Sequence, residues 1–265
     1  MIIDAHSHVH DPVQAHLVLM EEASIDRSIL FATRPHPERA HDLAGIRREM
    51  QTLTAAMSGD AAARVGSGDG VEGAWRELTD ALASHPDRFI GFRSLRLDQS
   101  PAETSNAVEA DVVAAGYRGI GELTPPPNRA GVIESVLQAA SDYPVLPVVV
   151  HGAVPTTEGD IGTLAGLARR YPRVPLVISQ LGGMHWLTAI EAALETPNLY
   201  LELSTANIIF AIRVAITELP DRTLFGSDAP YGDPVLSRTA IERVTRAGAV
   251  RDQVLGGTIG QLLGL

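Results

Sequence analysis

The chain has 265 residues, of which 21 are arginine, 32 are acidic and none is lysine or cysteine, so its formal net charge is −11 at pH 7. Without cysteine there are no disulfides, thiolate ligands or cysteine nucleophiles, and without lysine there is no Schiff base, P-loop lysine or carboxylated-lysine metal bridge. The negative charge argues against nucleic acid or an anionic membrane as a partner. No apolar run reaches the roughly 18 residues of a spanning helix and no signal peptide is recognisable, so a cytoplasmic protein is expected.

Short apolar or β-branched runs recur along the chain, and a helical pattern follows each of them. Several runs, such as VLPVVV and PLVIS, are almost continuously apolar, which is typical of strands buried on both faces of a parallel sheet. Eight strand–helix repeats predict an α/β fold with one domain over residues 1–265, a single (β/α)8 barrel, and an open doubly wound sheet is the alternative. The predicted strands are Ile2–Ala5, Arg27–Ala32, Phe89–Leu95, Arg118–Glu122, Val145–His151, Val174–Gln180, Asn198–Leu203 and Thr223–Ser227.

Helix signals lie between the strands, and one interval is longer than the others. Proline and capping residues predict helices over Pro101–Ala115, Thr157–Tyr171, Gly182–Leu194 and Asp233–Arg246. Between the second and third strands, two helices are predicted over Pro37–Met57 and Glu72–Ser84, separated by the loop Gly66–Gly70. We expect this helical excursion to cover the mouth of a distorted barrel.

The ends of four predicted strands carry side chains that can bind a metal or transfer a proton. His6 and His8 end the first strand and face the same way as Asp4, because strand side chains alternate. Glu122, His151 and Asp228 end the fourth, fifth and eighth strands. Since the carboxyl ends of the strands form the active-site face of such barrels, these groups are expected to converge on one metal site. Any one of them alone is as well explained as a polar strand end.

Several of these residues resemble the motifs of the amidohydrolase superfamily. The closest branch is the amidohydrolase-2 group, which includes aminocarboxymuconate-semialdehyde decarboxylase-like enzymes, and the C-terminal LGGTIGQLLGL is similar to its final segment. The resemblance implies a distorted barrel with a divalent metal, zinc first and manganese or another ion second. It implies that Asp228 shares in proton transfer and that the metal ligands are His6, His8, His151 and Asp228. The matching motifs are His6-Ser7-His8, His151, Leu181-Gly182-Gly183 and Gly226–Pro230.

One position departs from the family pattern. The family places a histidine two residues before Gly-Gly on strand six, where this chain has Gln180. Glutamine is not a base near neutral pH and is a poor zinc ligand, but it can donate a hydrogen bond to a substrate or a water. The usual second-metal site is therefore not expected. His185 follows nearby, inside a predicted helix, where a packed or solvent-facing side chain is the commoner outcome.

Three further side chains are candidates for the site. The GIGEL phrase around Glu122 is similar to the metal-binding glutamate of TatD-like deoxyribonucleases, so Glu122 is expected either to bind the metal or to face the substrate. Arg93 lies near the end of strand three and presents a planar fork suited to a substrate carboxylate. Arg96 could have the same role, but a surface ion pair with Asp98 explains it equally well. Tyr231 follows the Asp228 loop and is expected to line the substrate pocket.

These features predict an enzyme that acts on a small molecule. The first hypothesis is a metal-dependent hydrolase of an amide, ester or lactone that activates water, with Asp228, His151 and Glu122 as catalytic residues. The second is a nonoxidative decarboxylase, a carbon–carbon lyase, in which Arg93 holds a carboxylate. The third is a catalytically degenerate barrel, which Gln180 supports. A TatD-like nuclease is weaker, because the acidic chain offers no basic groove for phosphates. A homo-oligomer is left open.

Overall fold

The computed structural model describes residues 1–57 and 68–265. In this part of the chain, parallel strands alternate with helices, and a strand lies at each of the eight predicted places. Most strands are shorter than predicted, but the first extends further and includes both histidines of His6-Ser7-His8. The strands are β1 (Ile3–His8), β2 (Arg27–Phe31), β3 (Phe89–Gly91), β4 (Ile120–Leu123), β5 (Val148–Val150), β6 (Leu176–Ile178), β7 (Leu199–Glu202) and β8 (Thr223–Leu224).

The helices lie between these strands and after the last one. The α-helices are α1 (Val13–Glu22), α2 (Leu43–Met57), α3 (Gly68–Ser84), α4 (Pro101–Ala107), α5 (Glu134–Ala140), α6 (Glu158–Arg170), α7 (Trp186–Glu195), α8 (Ile209–Glu218), α9 (Pro234–Val244), α10 (Ala249–Asp252) and α11 (Thr258–Leu263). Shorter 3-10 segments lie at Pro37–Arg39, Ala130–Ile133 and Gln180–His185, and π-helical segments at Val108–Val113 and Gln253–Gly257. No helix in the described ranges has the length and hydropathy to cross a bilayer.

Local sequence explains where several helices begin. Ser100 and Glu103 form a capping box at the start of α4, and Thr157 and Asp160 form another at the start of α6. Each box satisfies backbone N–H groups that have no partner inside the helix.

Two sequence predictions about helices and loops need correction. The predicted helix Gly182–Leu194 starts only at Trp186, because Leu181, Gly182 and Gly183 have non-helical backbone angles with φ of 52°, 75° and 57°. Within the predicted loop Gly66–Gly70, residues 66 and 67 lie outside the described residues, and Gly68–Gly70 already belong to α3.

The strands pair in chain order, which gives one sheet of β1-β2-β3 and a second of β4-β5-β6-β7-β8. Single parallel bridges link the two sheets, from Arg93 to Ile120 on one side and from Ser7 to Ala229 on the other. Sequential parallel strands with a helix between each pair are the signature of a (β/α)8 barrel. The fold is therefore an α/β barrel, distorted where only single bridges link its two sheets.

A bulge in β1 decides which of its side chains face the barrel interior. The register with β2 shifts between Asp4 and Ser7, and such an extra residue breaks the alternation of side chains. Ile3 and Ala5 belong to the buried interior cluster of strand residues and α11. The rings of His6 and His8 nevertheless lie 4.8 and 5.9 Å from the ring of Phe31, which is part of the same cluster.

The sequence prediction that Asp4 shares the face of His6 and His8 is therefore wrong. Below the histidines, the Asp4 carboxylate accepts hydrogen bonds from the hydroxyls of Ser7 and Ser227 and from the backbone N–H of Ser227. Burial raises the pKa of Asp4 to about 6, although these hydrogen bonds oppose the shift. Asp4 thus fastens β1 to the segment after β8.

His36 links the segments of the excursion after β2 to one another. Its Nδ1 lies 2.8 Å from Glu38 Oε1 and its Nε2 lies 3.0 Å from Glu77 Oε2 on α3, while its backbone N–H donates to Glu49 on α2. Burial lowers the pKa of His36, but the hydrogen bond and charge of Glu38 outweigh it, so the pKa is raised despite the nearby charge of Arg39. The protonated ring donates to both carboxylates at once.

This network predicts a pH-dependent contribution to stability. Because the pKa of His36 is higher in the folded protein than the unfolded value of about 6.5, its contribution is full below that value and is lost as pH rises through the folded pKa. The difference in unfolding free energy between wild type and His36→Gln should therefore be largest below about pH 6.5 and shrink as the pH rises above it in urea titrations. Exposed His41→Gln is the control, and a difference that does not change with pH would contradict the prediction.

Candidate active site

The loop after β8 brings Asp228 to the end of β1. The backbone N–H of Asp228 donates to the carbonyl of His6 at 2.7 Å. Asp228 itself has a φ of 58°, a left-handed conformation that aspartate tolerates better than most residues and that is common at functional sites. Gly226 is required just before it, because a side chain there would collide with the Glu202 carboxylate. The GSDAP motif therefore fixes the Asp228 carboxylate beside the two histidines.

Ligand atoms of His6, His8 and Asp228 converge on one point. One atom from each lies within 4.8 Å of the other two, and Asp228 Oδ1 is 3.2 Å from His8 Nε2 and 3.6 Å from His6 Nε2. His6 Nε2 and Asp228 Oδ1 are buried and make no hydrogen bond. Since buried polar atoms are nearly always hydrogen-bonded, two unpaired atoms that face each other fit the coordination of a cation. Two imidazoles and a carboxylate are also a donor set suited to zinc.

In His6 and Asp228, the polar atom that faces away from this point is hydrogen-bonded within the protein. His6 Nδ1 donates to Glu202 Oε2 at 3.1 Å, and Gln180 Nε2 donates to Asp228 Oδ2 at 3.3 Å. The Glu202 carboxylate also accepts hydrogen bonds from Ser204 and from the backbone N–H of Gln180. A histidine that donates its other ring nitrogen to a carboxylate is the usual arrangement around a protein-bound metal.

His151 lies next to this group and pairs with Glu122. His151 Nδ1 is 3.0 Å from Glu122 Oε1, and His151 Nε2 is 3.0 Å from the carbonyl of Val154. Glu122 Oε1 also accepts from the Ser179 hydroxyl at 2.7 Å and lies 3.8 Å from His6 Nε2. The structure thus places His151 beside Glu122 and outside the converging group of His6, His8 and Asp228. His185, at the end of the 3-10 segment, is likewise outside it.

Electrostatics favour a positive charge at this point. Burial lowers the pKa of His6, but Glu122, Glu202 and Asp228 outweigh it and raise the pKa to about 10. Burial alone raises the pKa of Glu122, yet the charges of His151 and His6 hold it well below its usual range. A cation bound at this point would supply positive charge at the position that these carboxylates surround.

A cavity of about 1320 Å³ opens above the group and brings together all the remaining candidate residues. Its wall includes His8, Arg93, Glu122, His151, Gln180, Asp228 and Tyr231. His6 lies below this wall and is fully buried.

Two of the wall residues, Tyr231 and Arg93, make contacts with neighbouring rings. The Tyr231 ring packs edge-on against His8 with centroids 5.5 Å apart, and burial raises the pKa of its hydroxyl. The Arg93 guanidinium lies over the ring of Trp75, 3.6 Å from its centroid. Arg96, in contrast, pairs with Asp98 through both of its carboxylate oxygens on the surface.

One contributor to the site, Glu202, was not found from the sequence. It ends β7 in the phrase LELS, and a carboxylate at the end of a predicted strand was the same signal that pointed to Glu122. The sequence context of Trp75 on α3 does not indicate that it packs on an arginine from the barrel.

The barrel and its histidine–aspartate group together define an enzyme scaffold of the amidohydrolase type. The family model described as Amidohydrolase matches residues 3–265, so the chain belongs to the amidohydrolase family. No curated protein matches the chain.

Solved structures share the fold across the whole chain at low identity. A 5-carboxyvanillate decarboxylase from Sphingomonas paucimobilis has a TM-score of 0.65 at 16% identity, covering 100% of this chain and 99% of that one. A dihydroxybenzoic acid decarboxylase from Polaromonas sp. JS666, with bound manganese and 2-nitroresorcinol, has 0.65 at 18%, covering 100% and 97%. A probable 2-pyrone-4,6-dicarboxylic acid hydrolase from Acinetobacter baumannii has 0.59 at 13%, covering 100% and 99%.

The Glu202 contacts predict that Glu202→Gln destabilises the protein. An amide offers one acceptor oxygen where the carboxylate offers two, so at least one buried donor loses its partner, at a cost of about 2 kcal/mol. The measurement is the free energy of unfolding in urea, with exposed Glu195→Gln as the control. An unfolding free energy equal to that of wild type would show that the Glu202 carboxylate is not needed here.

Proposed function

We propose that this chain is a metal-dependent hydrolase that cleaves an amide, ester or lactone bond in a small carboxylated molecule. The observation that carries the proposal is the convergence of His6 Nε2, His8 Nε2 and Asp228 Oδ1 at the floor of the cavity. A cation held there, with zinc the first expectation and manganese the second, supplies Lewis-acid chemistry that activates water and polarises a carbonyl.

Each neighbouring side chain then has a defined task. His6, His8 and Asp228 would hold the cation, and the Asp228 carboxylate would accept the proton of the attacking water. The Glu122–His151 pair lies beside this point and provides a second proton-carrying group at the cavity wall. Tyr231 packs on His8 and closes the cavity on one side.

Arg93 supports a carboxylated substrate. Its guanidinium lines the cavity, stacks on Trp75 and makes no ion pair with any carboxylate of the described residues, whereas other arginines such as Arg88, Arg96 and Arg170 are paired. A stacked guanidinium keeps its donors in a fixed plane, ready for a two-pronged contact with a carboxylate. We therefore assign it to the substrate's carboxylate.

Nonoxidative decarboxylation is the second candidate. It is favoured by the structural neighbours, since two of those reported above are decarboxylases of carboxylated aromatic acids and one is a probable hydrolase of a pyrone dicarboxylate. In that reaction Arg93 and the cation would orient the substrate, and a proton from Asp228 would replace carbon dioxide.

The two reactions are separated by their products. Lactones, esters and amides that carry a carboxylate, and carboxylated phenols, would be supplied to protein loaded with zinc or manganese. We expect release of acid without carbon dioxide, and carbon dioxide release in its place would establish the second candidate.

Removing a ligand should abolish turnover of whichever substrate is found. His6→Ala and Asp228→Ala are each expected to lower kcat by about a hundredfold or more, because both the cation site and the proton acceptor are disrupted. Exposed His41→Ala and Asp221→Ala are the matched controls, and circular dichroism verifies folding. Full activity in either site variant would refute the assigned roles.

The Arg93 assignment predicts a charge-selective defect. Arg93→Met should reduce kcat/KM for a carboxylated substrate by about 10- to 100-fold, the value of a charge-assisted hydrogen bond. It should leave the corresponding methyl ester, which lacks that charge, nearly unaffected. Arg96→Met, which removes an arginine already paired with Asp98, is the control. Equal losses on both substrates would contradict carboxylate recognition.

A further inference from the structure

Gln180 occupies the strand-six position at which this family usually has a histidine, and its backbone is held in an unusual conformation. The side chain is buried at the end of β6. Gln180 and the following Leu181 both have a φ of 52°, which is uncommon for residues other than glycine and persists only where surrounding contacts enforce it. The chain therefore maintains a strained backbone at the place where Gln180 enters the cavity wall.

The hydrogen bonds of the Gln180 side chain fix the direction of its amide. Oε1 accepts from the backbone N–H groups of Gly152 at 3.2 Å and Ala153 at 3.1 Å. Backbone N–H groups can only donate, so the amide oxygen must face them. The amide nitrogen consequently points the other way, to Asp228 Oδ2 at 3.3 Å.

We propose that Gln180 is a positioning residue that holds Asp228 by its Oδ2 atom and so keeps Oδ1 directed at His6 and His8. This inference rests on the cation site of the proposed function. The amide accepts from the Gly152 and Ala153 N–H groups and donates to Asp228 through one short planar group at neutral pH. A carboxylate would present only acceptors, and an aliphatic side chain would present neither.

The same geometry removes Gln180 from the ligands of the cation. Its amide nitrogen has no lone pair to offer, and its oxygen is occupied by the loop after β5. The position that could hold a second cation is therefore used to orient a ligand of the first. One cation per chain follows.

The test measures cation binding directly, with Mn²⁺ alone as the probe and the full chain stripped by chelator. Calorimetry and the electron paramagnetic resonance signal of Mn²⁺ give affinity and stoichiometry. We expect one Mn²⁺ per wild-type chain. Gln180→Met, which is close in size, should bind about 10- to 100-fold more weakly with the same stoichiometry. Gln138→Met, on an exposed helix position, is the matched control and should bind as wild type does.

Thermal unfolding separates positioning from a purely structural role. In chelator, Gln180→Met should melt below wild type, because the Gly152 and Ala153 N–H groups lose their acceptor. The rise in Tm on adding Mn²⁺ should also be smaller than in wild type, which a purely structural role would not produce. Gln180→Asn keeps the amide but is one methylene shorter and cannot span both partners, so it should also bind Mn²⁺ more weakly than wild type, and it provides a second variant if the first does not fold.

Three results would overturn the proposal. Wild-type affinity in a folded Gln180→Met protein would show that Asp228 does not depend on Gln180. A lower Tm in chelator with unchanged Mn²⁺ affinity would assign Gln180 to structure alone. Absence of Mn²⁺ and Zn²⁺ binding in wild type would overturn the cation site itself, and is distinguished from the first two because it does not involve the variant.

Discussion

The site depends on hydrogen bonds that occupy one end of a ligand and leave its other end free. His6 is bonded through Nδ1 to Glu202, and Asp228 through Oδ2 to Gln180, so that His6 Nε2 and Asp228 Oδ1 face each other unpaired. A buried unpaired atom is costly unless a ligand satisfies it. Four strands must be in register for this arrangement, because His6, Gln180, Glu202 and Asp228 come from the ends of β1, β6, β7 and β8. The register of these strands therefore determines where His6 Nε2 and Asp228 Oδ1 lie relative to each other.

Charge explains why those atoms are arranged around a cation. Glu122, Glu202 and Asp228 surround His6 in a buried region, where like charges repel strongly and unpaired charges are unfavourable. A positive charge at their centre relieves the repulsion, which is why the pKa of His6 is raised although burial opposes it. A cation that binds the folded state alone stabilises that state by mass action. The cluster that would perform chemistry is thus also a place where binding and folding are coupled.

Strand order and much of the cavity wall were predictable because they depend on local patterns. Continuous apolar runs mark β5 and β6, and side chains at strand ends point to Glu122, His151 and Asp228. The roles of these residues were less accessible, because they depend on distances across the barrel. The bulge in β1 removes Asp4 from the face of the histidines, and alternation alone does not reveal it. The contribution of Glu202 is recognisable only once the fold brings the end of β7 next to His6.

The role of Gln180 likewise depends on contacts that the sequence does not reveal. Its position was recognised from the Leu-Gly-Gly stretch that follows it, but its role depends on Gly152, Ala153 and Asp228, which are distant in sequence. Considered alone, an amide in place of an imidazole suggests that a metal ligand has been lost. Next to Asp228 it is a donor that orients a ligand. Sequence reasoning identified the departure, and only the fold shows what it does.

The barrel and the excursion after β2 contribute different parts of the cavity. The cation group is built entirely from strand ends and the loops that follow them, whereas Trp75, which supports Arg93, lies on α3 of the excursion. Function in such barrels resides in sites placed on a common scaffold, and loops vary more readily than strands. In the proposed function, the reacting groups therefore come from the barrel, whereas the contact that orients Arg93 toward a substrate carboxylate depends on a helix inserted between β2 and β3.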